Sequence, residues 1–107
     1  MDDIGGGCSA AEPYALRVLG DSMEPEFEEG NIIIVDPDTP ATSGSYVVID
    51  YDNDTTLRQF VTEGDQKILR ALNNNYPDVV ISGEYRVRGV VIQKSTGRRS
   101  GIKHYQK

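Results

Sequence analysis

Hydrophobic residues along this chain fall into short runs that are separated by glycine, proline and small polar residues. Residues 31–37, NIIIVDP, form a continuous β-branched run between turn residues, which is typical of a buried strand. Residues 85–95, YRVRGVVIQKS, alternate long basic and β-branched side chains and predict a last strand. The same criteria predict strands at residues 14–20, 45–52 and 79–82.

The segment at residues 56–72 predicts a β-hairpin whose turn lies between Glu63 and Gln66, with residues 53–56 as the connection before it. Residues 21–30 indicate a turn or one short helical turn. No helical period persists beyond about two turns. The six to eight short strands that result predict a mostly β fold, built as folded-over sheets or a barrel-like sheet.

The length of 107 residues fits one domain, which we place at residues 13–107 behind a flexible N-terminal arm at residues 1–12. The chain has no apolar run of about 18 residues and no secretory signal pattern, so a cytoplasmic location without membrane contact is expected. The single cysteine, Cys8, has no cysteine or histidine near it, and the single histidine is His104. Neither a metal site nor a cofactor is expected.

The net charge of −6 is unevenly distributed along the chain. Residues 1–54 hold 13 acids and one base, whereas residues 55–107 hold 4 acids and 10 bases. The basic C-terminal tail is interpreted as solvated, or as one face of a self-complementary contact with the acidic half. Overall acidity and the lack of a helix-turn-helix pattern argue against direct nucleic-acid binding.

The stretch LGDSMEPEF, residues 19–27, places Ser22 either as a nucleophile or as the corner of a tight turn. It lies within VLGDSMEPEFEEGNIIIVDP, residues 18–37, which resembles the LexA/UmuD family of self-cleaving serine–lysine peptidases. The resemblance is carried by Gly20, Asp21, Ser22, Met23, Pro25, Phe27, Gly30 and the strand that ends at Asp36 and Pro37. Type I signal peptidases share a similar serine element, but they need a membrane anchor.

The resemblance continues through the predicted hairpin to the last strand. It implies a mostly β peptidase fold, a link to SOS and phage repressors, and a homodimer that pairs through the C-terminal strand. A protein partner is also consistent with this family. Ser22 would be the nucleophile, supported by its neighbours Gly20, Asp21, Met23 and Pro25.

A serine hydroxyl is a weak nucleophile at neutral pH and needs a partner that accepts its proton. Lysine can accept it when burial lowers the amine pKa toward neutrality. The position of the family's dyad lysine falls on Arg58 in TTLRQF, residues 55–60. A guanidinium stays protonated at physiological pH, so Arg58 could bind Ser22 but could not accept its proton.

Another base would have to come from elsewhere in the chain. With Thr62 opposite Lys67 in the hairpin, Lys67 lies four strand positions from Arg58, which is roughly 13 Å. That distance exceeds the reach of a lysine side chain. The other candidates have no motif support: Lys94, Lys103, Lys107 and His104.

The bond to be cut is also missing from its expected place. Family members cut an Ala-Gly or Cys-Gly bond well before the serine, whereas CSAAEP, residues 8–13, contains neither pair. Cleavage within one chain is therefore not expected, and cleavage between partners stays open. Asp21 is expected to cap the Ser22 turn with its own side chain, and Met23 to line a pocket or fill the core.

These observations predict a stand-alone LexA/UmuD-like protein in which Arg58 leaves Ser22 weak or silent. It would act as a dimeric regulatory or interaction module linked to repressor or SOS-type systems. The alternative is an active serine peptidase with Ser22 as nucleophile and a non-standard base, so whether the chain is an enzyme stays open. A β binding module unrelated to peptidases is the third interpretation.

Overall fold

The computed structural model describes residues 12–95 and 102–105, so most of the predicted N-terminal arm lies outside the described residues. The described part contains no helix, and hence none long and apolar enough to cross a membrane. Its eight strands are β1 (Tyr14–Arg17), β2 (Ile32–Asp36), β3 (Tyr46–Tyr51), β4 (Asp54–Glu63), β5 (Gln66–Arg70), β6 (Val79–Val80), β7 (Tyr85–Ser95) and β8 (Ile102–His104). The prediction of a mostly β domain is confirmed.

Most predicted strands are present, and the main differences from the prediction concern β1, β4 and the C-terminal tail. β1 ends at Arg17, three residues before the predicted end, because the chain turns toward Ser22 from Val18 onward. β4 begins at Asp54, so most of the segment predicted as a connection is strand. The turn before it is made by Asp52 and Asn53, which both have positive φ angles. The predicted polar tail contains β8.

The eight strands form one antiparallel sheet in the order β1-β2-β7-β3-β4-β5-β6, and β8 pairs with β7. Neighbouring residues on β3, Val47 and Val48, belong to different hydrophobic clusters, as do Val90 and Val91 on β7. Because successive side chains of a strand point to opposite faces, the sheet carries a hydrophobic cluster on each face. β7 lies at the centre of the strand order and contributes to both.

β7 approaches β2 closely at Gly89, where the ladder between β3 and β7 is interrupted by a bulge. A Cβ atom at residue 89 would lie 2.5 Å from Cγ1 of Val35 and 3.1 Å from the backbone of Asp36. Glycine is therefore required here by the space between two strands and not by its φ angle. This contact fixes the central strands against which the Ser22 segment packs.

The segment between β1 and β2 is a compact loop that carries Ser22. Its ends are joined because the N–H of Val18 donates to the carbonyl of Asn31 at 2.8 Å, and the N–H of Gly30 donates to the carbonyl of Val18 at 2.8 Å. Inside it, Phe27 N–H donates to the carbonyl of Met23 at 2.9 Å, which makes one helical turn. The side chains of Met23 and Phe27 are 1% and 0% exposed, so the loop is anchored in the core on both sides of that turn.

Candidate active site

Ser22 and Arg58 meet although 36 residues separate them in the chain. Nη1 of Arg58 donates a hydrogen bond to Oγ of Ser22 at 2.8 Å and a second one to the carbonyl of Leu57 at 2.8 Å. Within residues 12–95 and 102–105, Arg58 is the hydrogen-bond partner of the serine hydroxyl. The structure therefore brings together the two residues that the sequence singled out as a pair.

The position of Arg58 follows from the strand register. β4 pairs with β3 so that Arg58 lies opposite Val47, a fully buried residue of the core. The arginine residue itself is only partly buried. Burial lowers the pKa of the Arg58 guanidinium from its ordinary value, while the nearby charge of Asp54 acts in the opposite direction. A guanidinium nevertheless remains a cation at physiological pH.

The loop between β5 and β6 holds the serine turn from the other side. The N–H of Asn73 donates to the carbonyl of Ser22 at 3.0 Å, and its side-chain Nδ2 donates to the carbonyl of Asp21 at 2.9 Å. The hydroxyl of Tyr76 donates to Oδ1 of Asp21 at 2.6 Å, a bond that raises the pKa of Tyr76. The prediction that the Asp21 side chain caps its own turn is wrong, because that carboxylate binds Tyr76.

The other candidate bases are engaged or placed elsewhere. Lys67 pairs with Thr62 across the β4–β5 hairpin, as predicted, and its side chain is exposed. Nζ of Lys94 donates to the carbonyl of Glu26 at 2.6 Å, and Nζ of Lys103 donates to the carboxylate of the same residue at 2.7 Å. His104 is exposed on β8. Lys107 lies outside the described residues.

Ser22 and Arg58 share a cleft with a volume of about 340 Å³. The cleft runs between the β1 side of the sheet and the first half of β4, and its size is that of a small-ligand or peptide pocket. Its apolar lining consists of Leu16, Val18, Leu19, Met23, Ile33, Val48 and Leu57. The remaining lining residues are polar: Arg17, Asp54, Thr55 and Thr56. Met23 is therefore both a buried core residue and a lining residue of the cleft, so both positions predicted for it are observed.

A second cluster ties the serine loop to the end of the sheet through Glu26. Oε2 of Glu26 accepts a hydrogen bond from Lys103 at 2.7 Å and one from the hydroxyl of Tyr105 at 2.6 Å. Burial by itself would raise the pKa of Glu26, but these two bonds and the charges of Lys94 and Lys103 together lower it. The ring of Tyr105 also packs against Phe27 with centroids 5.6 Å apart.

We expect Glu26→Gln to lower the free energy of unfolding by about 1 kcal/mol near neutral pH, because hydrogen bonds to a charged group are stronger than neutral ones. Since the folded-state pKa of Glu26 is depressed, its stabilising effect is present above the unfolded pKa and is lost as pH falls through the folded pKa. Urea unfolding of both proteins over an acidic pH series should therefore show the difference shrinking. Glu28→Gln, at an exposed residue of the same loop, is the control and should change little. A constant difference at all pH values would contradict this account.

An antiparallel β domain that holds a serine hydroxyl beside a cationic side chain in an apolar cleft has the architecture of a serine-peptidase-like domain with a two-residue site. Comparison with known families specifies this class further. The chain belongs to the Peptidase S24-like family, whose profile matches residues 7–92. The resemblance to LexA/UmuD-type domains is thereby confirmed.

Several repressors are similar to this chain. It is 45% identical over 87 residues to the HTH-type transcriptional regulator for conjugative element R391 of Providencia rettgeri. This alignment covers 75% of this chain and 40% of that protein. It is 40% identical over 94 residues to prophage repressor CohE of Escherichia coli K12, covering 84% and 42% of the two chains. It is 31% identical over 83 residues to the LexA repressor of Verrucomicrobium spinosum, covering 77% and 41%. The chain thus spans about 40% of the length of these relatives, and its fold is one that occurs in repressors.

Sequence reasoning missed three residues that build the site. Asn73 and Tyr76 stand in the stretch NNNYPD, which indicates a loop and carries no sign of contact with Ser22. Glu26 lies in the acidic stretch that predicts only a turn, yet it is partly buried and binds two residues of the C-terminal segment. The available signal was the run of bases after residue 86, which predicts a contact with the acidic half without naming the partners.

Proposed function

We propose that this chain is a regulatory or interaction module of the repressor-linked peptidase fold in which Ser22 does not act as a nucleophile. The observation that carries the proposal is the 2.8 Å hydrogen bond from Nη1 of Arg58 to Oγ of Ser22. In this bond the serine oxygen is an acceptor, because a guanidinium has donors and no lone pair to offer. The serine proton therefore has no acceptor in the position that a dyad base would occupy.

The remaining contacts support the same reading. The backbone and side chains of Asn73 and Tyr76 hold the serine turn in a fixed position, so the nucleophile position is built without its base. Lys94 and Lys103 are occupied by Glu26, and Lys67 is on an exposed part of the hairpin. A silent site in an intact fold favours a role in binding a partner over a role in catalysis.

We expect the purified chain to form no stoichiometric adduct with a fluorophosphonate probe at any pH at which it is folded. Intact-mass measurement over a pH series checks this, with Ser22→Ala as the matched control. A full adduct in the wild-type chain that Ser22→Ala abolishes would overturn the proposal. That result would support the alternative, an active serine peptidase with a non-standard base.

The proposed module acts as a homodimer that pairs through its C-terminal strand. β8 is bonded to β7 along one edge, and its other edge has no strand partner within the described residues. Ile102 on this strand is 52% exposed. An exposed strand edge with an apolar side chain is a ready surface for pairing with a second copy.

Light scattering after size exclusion is expected to give the mass of a dimer for the wild-type chain. Ile102→Asp should shift it toward monomer because a charge would then be buried at the paired edge. Val80→Asp changes an exposed apolar residue on a different edge, 49% exposed in β6, and should leave the dimer intact. A wild-type monomer at high concentration would contradict the dimer, and a shift caused only by the β6 variant would move the interface there.

A further inference from the structure

The guanidinium of Arg58 lies in the cleft without a carboxylate partner. Two of its five N–H donors are used, both on Nη1, by Ser22 and by the carbonyl of Leu57. Among residues 12–95 and 102–105, no carboxylate lies within 4 Å of it. Burial lowers the pKa of Arg58, and the charge of Asp54 acts on it in the opposite direction only from a distance. Three donors of a half-buried cation therefore remain for a ligand in this cleft, whose lining is apolar on one part and polar on the other.

The backbone beside the guanidinium has a free edge. β4 pairs with β3 from Asp54 to Gln59, but its pairing with β5 begins only at Gln59. In the described residues, the first half of β4 thus has no strand on its other side, and that half lines the cleft. β1, on the other side of the cleft, is the terminal strand of the sheet order. Such edges bind extended peptides by adding a strand.

The guanidinium also limits how far an added strand can run. Because Nη1 of Arg58 occupies the carbonyl of Leu57, a strand that follows the edge of β4 meets a cation at that point instead of a free carbonyl. A chain that ends there presents its terminal carboxylate to the unused donors of Arg58. Asp54 lies four positions earlier on β4, about 13 Å from Arg58. Because Asp54 is itself an anion, the terminal carboxylate of the peptide is expected at Arg58 and not near Asp54.

From these contacts we propose that the cleft binds the C-terminal carboxylate of an extended, apolar peptide, with Arg58 and Ser22 as the carboxylate receptor. This inference rests on the proposed function, since it uses the silent serine as a hydrogen-bonding group. The planar fork of arginine fits a carboxylate with two parallel hydrogen bonds, which a lysine could not provide. The apolar lining from Leu16 to Leu57 receives the side chains that precede the chain end.

The test compares two peptides on the full chain. One is a hexapeptide of alanine, valine and leucine with an N-terminal fluorescein and a free C-terminal carboxylate, and the other is its C-terminal amide. Fluorescence anisotropy should show at least tenfold tighter binding of the acid, a difference of about 1.4 kcal/mol. Equal affinity of the two peptides in the wild-type chain would overturn the inference without the use of any variant.

Variants then locate the receptor. Arg58→Gln should remove the preference for the acid, whereas Arg86→Gln, at an exposed arginine outside the cleft, should keep it. A preference that survives Arg58→Gln would place the receptor elsewhere and overturn the assignment. If inorganic phosphate at millimolar concentration displaced the acid peptide, and if changing the apolar side chains of the peptide left its affinity unchanged, the cleft would be a site for free anions and the inference would be overturned.

These outcomes separate the two proposals. A chain that gives no fluorophosphonate adduct and binds acid and amide equally keeps the proposed function and loses the carboxylate receptor. A chain that gives the adduct loses the proposed function, whichever peptide it prefers.

Discussion

Replacing Arg58 by lysine is expected to make Ser22 react with a fluorophosphonate at least about 100-fold faster than in the Arg58→Gln variant, which is the lower range of general-base catalysis. The hydrogen bond from Arg58 to Ser22 shows that a side chain at residue 58 reaches the hydroxyl. A lysine is shorter by one bond and ends in an amine that can lose its proton. The burial that lowers the pKa of Arg58 should also lower the pKa of the introduced amine.

The labelling rate of the lysine variant should depend on pH in one direction. The amine accepts a proton only in its neutral form, so the labelling rate should rise as pH increases through the lowered amine pKa and then level off. Intact-mass kinetics over a pH series measure it. Arg58→Gln is the matched control, because it removes the cation without supplying a base, and Ser22→Ala added to the lysine variant should abolish labelling. A folded Arg58→Lys protein that labels no faster than the glutamine variant would show that the site lacks more than its base.

The pairing of Ser22 with residue 58 could be predicted because the resemblance to the LexA/UmuD family covers both the serine stretch and the hairpin. The serine stretch is recognisable by its glycine and proline spacing, and the hairpin fixes the register through its turn at Gly64 and Asp65. The observed pairing of Thr62 with Lys67 is the predicted one. That register excluded Lys67 as a base, whereas the assignment of Arg58 to the dyad position came from the resemblance to the LexA/UmuD family. The roles of Ser22 and Arg58 in chemistry stay predictions that the labelling experiments decide.

The partners that hold the site could not be predicted, because their contacts are between loops far apart in the chain. Tyr76 reaches Asp21 across 55 residues, and Tyr105 reaches Glu26 across 79 residues. Neither loop has a repeating pattern from which a register could be derived. The rule that an aspartate beside a turn caps it locally also failed, because a tyrosine hydroxyl offered Asp21 a bond from outside the turn.

The same limit applies to the strand ends. The apolar and β-branched pattern at residues 14–20 predicts a strand up to Gly20, but Val18 instead bonds to Asn31 and closes the serine loop. Val18 is buried in the core while Leu19 is 77% exposed, so the alternation that indicates a strand here reflects the loop's own packing. A local pattern reports which residues are buried but not which element buries them.

Phe27→Ala is expected to lower the free energy of unfolding by about 3–5 kcal/mol, the usual cost of removing a fully buried aromatic ring. The ring of Phe27 is 0% exposed and lies 4.9 Å from the ring of Tyr46 in an edge-to-face contact. It also packs against Tyr105 and carries Nζ of Lys94 at 5.6 Å from its centroid. Since a domain of this size is stable by only about 5–15 kcal/mol, the loss should be visible as a large shift of the urea midpoint.

Phe27 is also the residue through which the serine loop and the C-terminal segment share one core. Removing its ring should therefore weaken both the Ser22 turn and the packing of Tyr105. A cavity that affected only its immediate neighbours in the core would leave Tyr105 in place. Leu19→Ala, in the same loop but largely exposed, is the control and should change the free energy of unfolding by less than about 0.5 kcal/mol. Backbone hydrogen exchange should show faster exchange at the N–H of Tyr105, which bonds to the carbonyl of Ile92, in Phe27→Ala and not in Leu19→Ala. Unchanged protection of Tyr105 in a destabilised Phe27→Ala protein would mean that the C-terminal segment is held by Glu26 and β7 alone.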